Sequence, residues 1–309
     1  GMIIASSPLI DMLPIQKSAI DGRYICQWDK ISIADAGFVK IDFLALGVLS
    51  QMQDTLHAIE RRIGSLVDLS RIDFDDQNVY EMLHDGDTIG IFQIESAAQI
   101  QSIKRIRPRN LTDMAYQVAA VRPGVGVHDG VRHYIQRRLQ LEKWEFDHPL
   151  ERRALERTLG VILVQDQMNQ LAIDVGGFTP GEAEQLRRMI ANSKRHSPPS
   201  DWWEKFRIGA MKRNVSEGIA WKIFGKFNGY YMFPESHAFA FGTTAYQMAW
   251  LKYYHPLEFY LGLFNQQPMG FYSPETLKED ARRHSIRILN PDVNMSSQLC
   301  VIENNDIRL

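Results

Sequence analysis

The sequence predicts a mainly helical α+β chain: a short β-containing opening, then a large helical body. Three observations carry this expectation. Residues 1–50 are short apolar segments separated by turn signals. After Gly47 the apolar spacing changes from alternation to three- and four-residue steps. From there to the end, helix start and stop signals recur.

Taken in order, "MIIAS", "YICQW" and "FVKIDFLAL" read as strands, with Asp21-Gly22 marking a turn. The last reads as a buried strand. Its Lys40 and Asp42 stand two residues apart, which places them on one face. An ion pair at a sheet edge would account for them, because a lone buried carboxylate is costly. A face that holds a cation on Asp42 and a phosphate on Lys40 would also account for them. The spacing does not choose.

Next, "LSQMQDTLHAIERRIG" places Leu49, Met52, Leu56, Ile59 and Ile63 along an amphipathic helix stopped near Gly64. "DDQNVYEMLHDGD" reads as a capped helix ending at Gly86, and "TIGIFQIES" as a strand-like run leading to a helix from Ser96. "NLTDMAYQVAAV" is a helix broken at Arg122-Pro123-Gly124, a stop that would hold Arg122 at a helix end facing a cleft. "ALERTLGVILVQDQMNQLAIDVGGF" combines an apolar run with a long helix. In "TPGEAEQLRRMIANSK", Thr179 suits the N-cap and Pro180 the first helical position. "SKRHSPPSDWW", Ser193 to Trp203, has the composition of an exposed loop. Helices in "SEGIAWKIFGKFNGY", "AFGTTAYQMAWLKYYH", "PLEFYLGLFNQ" and "SPETLKEDARRHS" follow, and "IRILNPDVN" closes as an extended segment.

The chain has 309 residues, 45% hydrophobic and 23% charged, which is ordinary for a globular protein with a sizeable core. No run approaches the roughly 18 apolar residues of a membrane span. The start carries no basic n-region with an apolar h-region, so no signal peptide is expected, and "MIIASSPLI" reads like mid-domain sequence from a longer protein. Two cysteines far apart, Cys26 and Cys300, form no disulfide framework or zinc spacing and fit a reducing cytoplasm. The nine histidines show no metal-binding pair. Net charge is −2, yet the basic residues gather between Lys104 and Arg138 and between Arg187 and Arg213, and acids gather between Asp68 and Asp87. Such stretches can hold a polyanion, or they are solvated helix faces.

Arg187 and Arg188 diverge by roughly 100° on a helix, and Lys194 returns to the Arg187 face about two turns on. This comb suits a triphosphate. A solvated face paired to Glu182 and Glu184 is the plainer alternative. The aromatics Phe233, Phe239, Phe241, Tyr246, Trp250, Tyr253, Tyr254, Phe259 and Tyr260 read as core rather than as a base-stacking surface. Ser236 and His237 are adjacent, the wrong geometry for a nucleophile and its base, and read as capping or polar contacts. No P-loop, nucleophile elbow or dinucleotide fingerprint is present.

"AGFVKIDFLALGVLS", "DTIGIFQIES", "VAAVRPG", "GEAEQLRRMIANSK", "FPESHAFAFGTTAYQMAWLKYYHPLEFYLGLFNQQPMGFYS" and "IRILNPDVN" occur in that order. Together they make the chain, from Met2 to Asn294, resemble the bacterial C-family DNA polymerases, the DNA polymerase III alpha subunit and its relatives. "FPESHA" and "QPMGFYSPETL" resemble the error-prone, damage-tolerant branch. The resemblance implies the end of a nucleotidyltransferase-like palm over 1–50, a helical fingers domain over 51–294, and the start of a further region over 295–309. It implies that Asp42 is one of three catalytic aspartates that hold two Mg2+ ions, with Lys40, Arg122, Arg187, Arg188 and Lys194 around the incoming deoxynucleoside triphosphate. Implied partners are primer–template DNA and, through regions absent here, a sliding clamp and other polymerase components; no membrane is implied. "VQDQ", Val164 to Gln167, stands where relatives carry a "YQEQ"-like segment, and the loop after Lys194 lacks the lysine-rich run of some replicases. The family's other two aspartates lie on an earlier strand, so the chain alone is expected to be inactive, and the unpaired palm edges to favour self-association. The alternative is a non-catalytic helical module that binds nucleic acid or a protein.

Overall fold

In a computed structural model the described residues are 2–41, 46–121, 129–192, 200–227, 232–270 and 272–309. The chain divides into two compact units, Gly1–Gly47 and Val48–Leu309.

The first unit holds four short strands, β1 (Met2–Ile4), β2 (Ile15–Lys17), β3 (Tyr24–Cys26) and β4 (Val39–Ile41), and one short helix, α1 (Lys30–Asp35). β2 and β3 form an antiparallel hairpin around the Asp21-Gly22 turn. β1 pairs antiparallel with β4, setting Met2 opposite Ile41, Ile3 opposite Lys40 and Ile4 opposite Val39. Side chains alternate across a strand, so Met2, Ile4, Val39 and Ile41 share one face and Ile3 and Lys40 the other. All four of that apolar face are exposed, which corrects the expectation of a buried strand. The pairing is a two-stranded ribbon, and only Leu13 and Ile33 are buried apolar residues among those described in this unit. α1 is capped by Asp29, whose carboxylate accepts from the Ile31 and Ser32 N–H groups.

The second unit begins on α2 (Gly47–Ile63), continues through α3 (Gln77–His84), α4 (Ala97–Ile106), α5 (Leu111–Ala120), α6 (Asp129–Arg138), α7 (Arg152–Leu155), α8 (Gln165–Asp174), α9 (Pro180–Asn192), α10 (Ser200–Met211), α11 (Glu217–Phe224), α12 (Glu235–Tyr254), α13 (Pro256–Asn265) and α14 (Pro274–Arg283), and ends in a three-stranded sheet. In that sheet β5 (Ile288–Leu289) runs parallel to β7 (Asp306–Arg308), which pairs antiparallel with β6 (Val301–Glu303). The pairing ties the last residues to the extended run after α14.

Helix starts follow the local chemistry. Asp76, Ser96, Asn110, Ser216 and Ser273 each cap a helix with a side-chain oxygen. Thr179 accepts from Glu182 N–H while the Glu182 carboxylate accepts from Thr179 N–H, a reciprocal cap for α9. Three expectations change. "TIGIFQIES" forms turns rather than a strand, because Gly90 and Gln93 take positive φ and break the extended path; Ile91 and Ile94 are nonetheless fully buried. Trp202 and Trp203 lie in α10 rather than in a loop, packed on Phe178, Phe206 and Phe224. On α2 the buried face is Val48, Met52, Thr55, Ala58 and Ile59, and Leu49 and Ile63 are exposed.

One core joins α7 to α11 around Leu171, Leu186, Ile190, Phe206 and Phe224. Another joins α5, α6 and the start of α12 around Tyr116, Tyr134, Val164 and Ala238. α5 and α12 cross so closely that a Cβ on Gly242 would stand 2.8 Å from the Ala115 amide nitrogen. The aromatic run is core at Tyr246, Phe259 and Tyr260, whereas Tyr253 and Tyr254 are exposed. His237 meets Phe233 and Phe241 edge-on, with ring centroids at 4.9 and 3.9 Å, an aromatic contact rather than a cap.

Candidate functional site

α9 carries the arginines. Glu184 binds both: Arg187 donates to it through Nε at 2.8 Å and Nη2 at 2.6 Å, and Arg188 through Nε at 2.7 Å. Asn169 on α8 donates a further bond to the same carboxylate at 3.2 Å. The Arg187 hydrogen bonds lead the effects that hold the Glu184 carboxyl at about 2, well below its ordinary value. Glu184 in turn raises the guanidinium of Arg187, with Asp166 adding to the effect. The Arg187 side chain is 17% exposed and that of Arg188 71%. Arg187 is thus fixed by a two-point grip, while Arg188 presents most of its guanidinium to solvent.

The two other site residues of the helical body, Arg122 and Lys194, lie outside the described residues, as does Asp42 in the first unit. Lys40 sits at the centre of β4, exposed, in the first unit; Arg187 and Arg188 lie in the second. Glu182, expected to pair within its own helix, reaches Lys205 on α10 at 2.5 Å instead. "VQDQ" acts as a knot. Gln167 accepts from the Leu163 and Val164 N–H groups and donates to Ala154 O and Thr158 Oγ1. Asp166 accepts from Glu235 N–H at 2.5 Å, which anchors the start of α12 against α8.

Much of the basic charge is used internally. Arg138 grips Asp113 with both terminal nitrogens, Arg137 binds Glu142 and Leu159 O, and Arg207 binds Glu204 at two points. In the acidic stretch, Asp68, Asp73 and Asp76 accept from nearby backbone N–H groups. The sequence reading missed a buried cluster. Lys252 Nζ donates to Asp87 at 2.6 Å, Asp280 at 2.8 Å and Ile89 O at 3.0 Å. Tyr260 donates to Asp280 at 2.6 Å, and His284 Nε2 stands 2.8 Å from Asp87. Its signal was a single cation inside the apolar, aromatic run of α12. Asp87, Asp280 and His284 are the one carboxylate–histidine group of metal-binding compactness among the described residues. The Lys252 ammonium takes the cation's place there, so the group needs no ion.

This fold and this cation pair define a mainly helical module in which Glu184 fixes one arginine and leaves its neighbour largely exposed. The family follows from comparison. Residues 48–214 match the family model of the bacterial DNA polymerase III alpha subunit finger domain, and residues 1–45 that of the bacterial DNA polymerase III alpha NTPase domain. The chain belongs to the bacterial DNA polymerase III alpha subunit family. It is 40% identical to an error-prone DNA polymerase of Corynebacterium diphtheriae over 311 residues, covering 100% of this chain and 30% of that protein. It is 42% identical to one from Dechloromonas aromatica over 298 residues, 96% of this chain and 29% of the relative. A third, from Vibrio parahaemolyticus, is 40% identical over 301 residues, 96% and 29% respectively. The chain therefore spans about 30% of the length of these relatives. Among the described residues no helix is long and apolar enough to cross a membrane.

Proposed function

We propose that this chain is the fingers and the end of the palm of an error-prone DNA polymerase that copies a template strand, damaged templates included, in the cytoplasm. Residues 1–50 are the palm portion, 51–294 the fingers, and 295–309 open the following region. Primer–template DNA and deoxynucleoside triphosphates are its substrates, and a sliding clamp engages parts of the polymerase beyond these residues. The observation that carries the reading is the Arg187–Glu184–Arg188 arrangement on α9, within the finger-domain match. Glu184 sets the Arg187 guanidinium before any ligand arrives, and Arg188 is left to meet phosphate oxygens. Lys40, Arg122 and Lys194 add positive charge around the same triphosphate.

In this reading Asp42 supplies one carboxylate to a two-Mg2+ site in the longer polymerase. The described residues do not assemble such a site. In the first unit Asp29 is committed to capping α1, and in the second Lys252 fills the compact acidic group. This chain alone should give no primer extension with Mg2+ and deoxynucleotides present; measurable extension would count against the reading.

The test is fluorescence anisotropy of a labelled primer–template at several salt concentrations, with and without the matching deoxynucleotide and Mg2+. Nucleotide should tighten binding in the parent, and Arg187→Ala/Arg188→Ala should abolish that response. Binding that depends on salt and ignores nucleotide in both would favour the non-catalytic module, a reading supported by the full internal pairing of Arg187.

A further inference from the structure

Trp221 is the most exposed tryptophan of the second unit, 60% open to solvent on α11. It is held rigidly all the same. Trp203 packs edge-on against it with centroids 4.7 Å apart, and Trp203 is itself seated on Phe224 and Phe206 in the α7–α11 core. The helix surface beside the ring is cleared. Gly218 lies one turn before Trp221, and a Cβ built there meets nothing within 4 Å. Gly225 lies one turn after, where a Cβ would meet only backbone oxygens of Trp221 and Lys222 at 3.4 Å. A flat group can therefore lie on the indole without displacing a side chain.

The charge along α10 and α11 points to the ligand. Residues 200–227 hold six lysines and arginines against three acids. Lys205 and Arg207 are committed to Glu182 and Glu204. Lys212, in the turn between α10 and α11, and Lys222, next to Trp221, are exposed and have no carboxylate partner among the described residues, whereas the Arg213 guanidinium donates to Gly209 O at 3.3 Å and lies against Gly177. The exposed tyrosines on α12 differ. The Tyr254 hydroxyl donates to Asp76 at 2.5 Å, so a carboxylate stands where a phosphate would pass.

We infer that Trp221 is a stacking platform for an unpaired nucleobase, with Lys222 and Lys212 attending the phosphates of a single DNA strand. This rests on the polymerase reading and deepens it: the strand is template not yet copied, and a stacked base demands no particular sequence.

Tryptophan fluorescence of the whole chain, titrated with oligothymidylate or with a hairpin duplex of equal phosphate count, tests it. Oligothymidylate should quench the emission and bind tighter than the duplex. Trp221→Ala should lose most of the quench and weaken single-strand binding by about 5- to 10-fold, leaving duplex binding as in the parent. Trp221→Phe, which keeps a ring, should restore most of the affinity. Single-strand affinity unchanged in Trp221→Ala, or single-strand and duplex affinity lost in equal measure, overturns the platform and leaves the polymerase reading standing. A parent that binds no DNA at low salt overturns both.

Discussion

Lys252 shows what one side chain does in a dry interior. It is completely buried, and its ammonium has three oxygen partners that match its three donors. Burial alone would raise the Asp87 carboxyl; the His284 hydrogen bond and the Lys252 ammonium override it and hold Asp87 at about 2. Lys252→Met would leave Asp280 buried without its counter-charge, so unfolding in urea should show a loss of about 3–5 kcal/mol. The acid response follows from the same groups. Asp87 and Glu184 both sit near 2 in the folded chain, below ordinary values of 3.8 and 4.5. Their stabilisation is complete above those ordinary values and is lost as pH falls toward 2. Melting temperature measured from pH 6 down to 2 should drop over that window, and Glu184→Gln should flatten part of the drop.

At the scale of the element, capping and packing separate. The caps of α3, α4, α5, α9, α11 and α14 were readable or recoverable from Asp, Ser, Asn and Thr before apolar runs, because a cap involves three or four consecutive residues. The inward face of α2 was not, because exposure of Leu49 and Ile63 depends on which neighbours arrive. The α5–α12 crossing is similar: Gly242 reads as a weak point in a helix and proves to be the point of closest approach. Gly242→Ala, which improves helix propensity, should nonetheless destabilise the chain by about 1–3 kcal/mol, measured by urea unfolding, because the new methyl meets the Ala115 backbone.

At the scale of the molecule, the two units differ in what they bury. The helical unit has extended apolar cores, whereas the opening unit leaves Met2, Ile4, Val39 and Ile41 bare on one face of a two-stranded ribbon whose outer edges have no strand partner among the described residues. A bare apolar ribbon face with open edges invites pairing between copies. Light scattering of the purified chain should show mass rising with concentration, and Ile4→Lys/Ile41→Lys should return it toward a monomer. A mass independent of concentration in the parent would count against this.

By itself the sequence determined the helical body, most of its boundaries and the family, because capping, periodicity and ordered motifs are written in neighbouring residues. It also placed Arg187 and Arg188 together on α9. Only the tertiary structure decided what those cations do. It gave both arginines to Glu184, sent Glu182 to Lys205, spent Arg138 on Asp113, and sealed Lys252 among Asp87, Asp280 and Tyr260. An ion pair selects its partner by approach and desolvation, and neither exists until distant helices have packed.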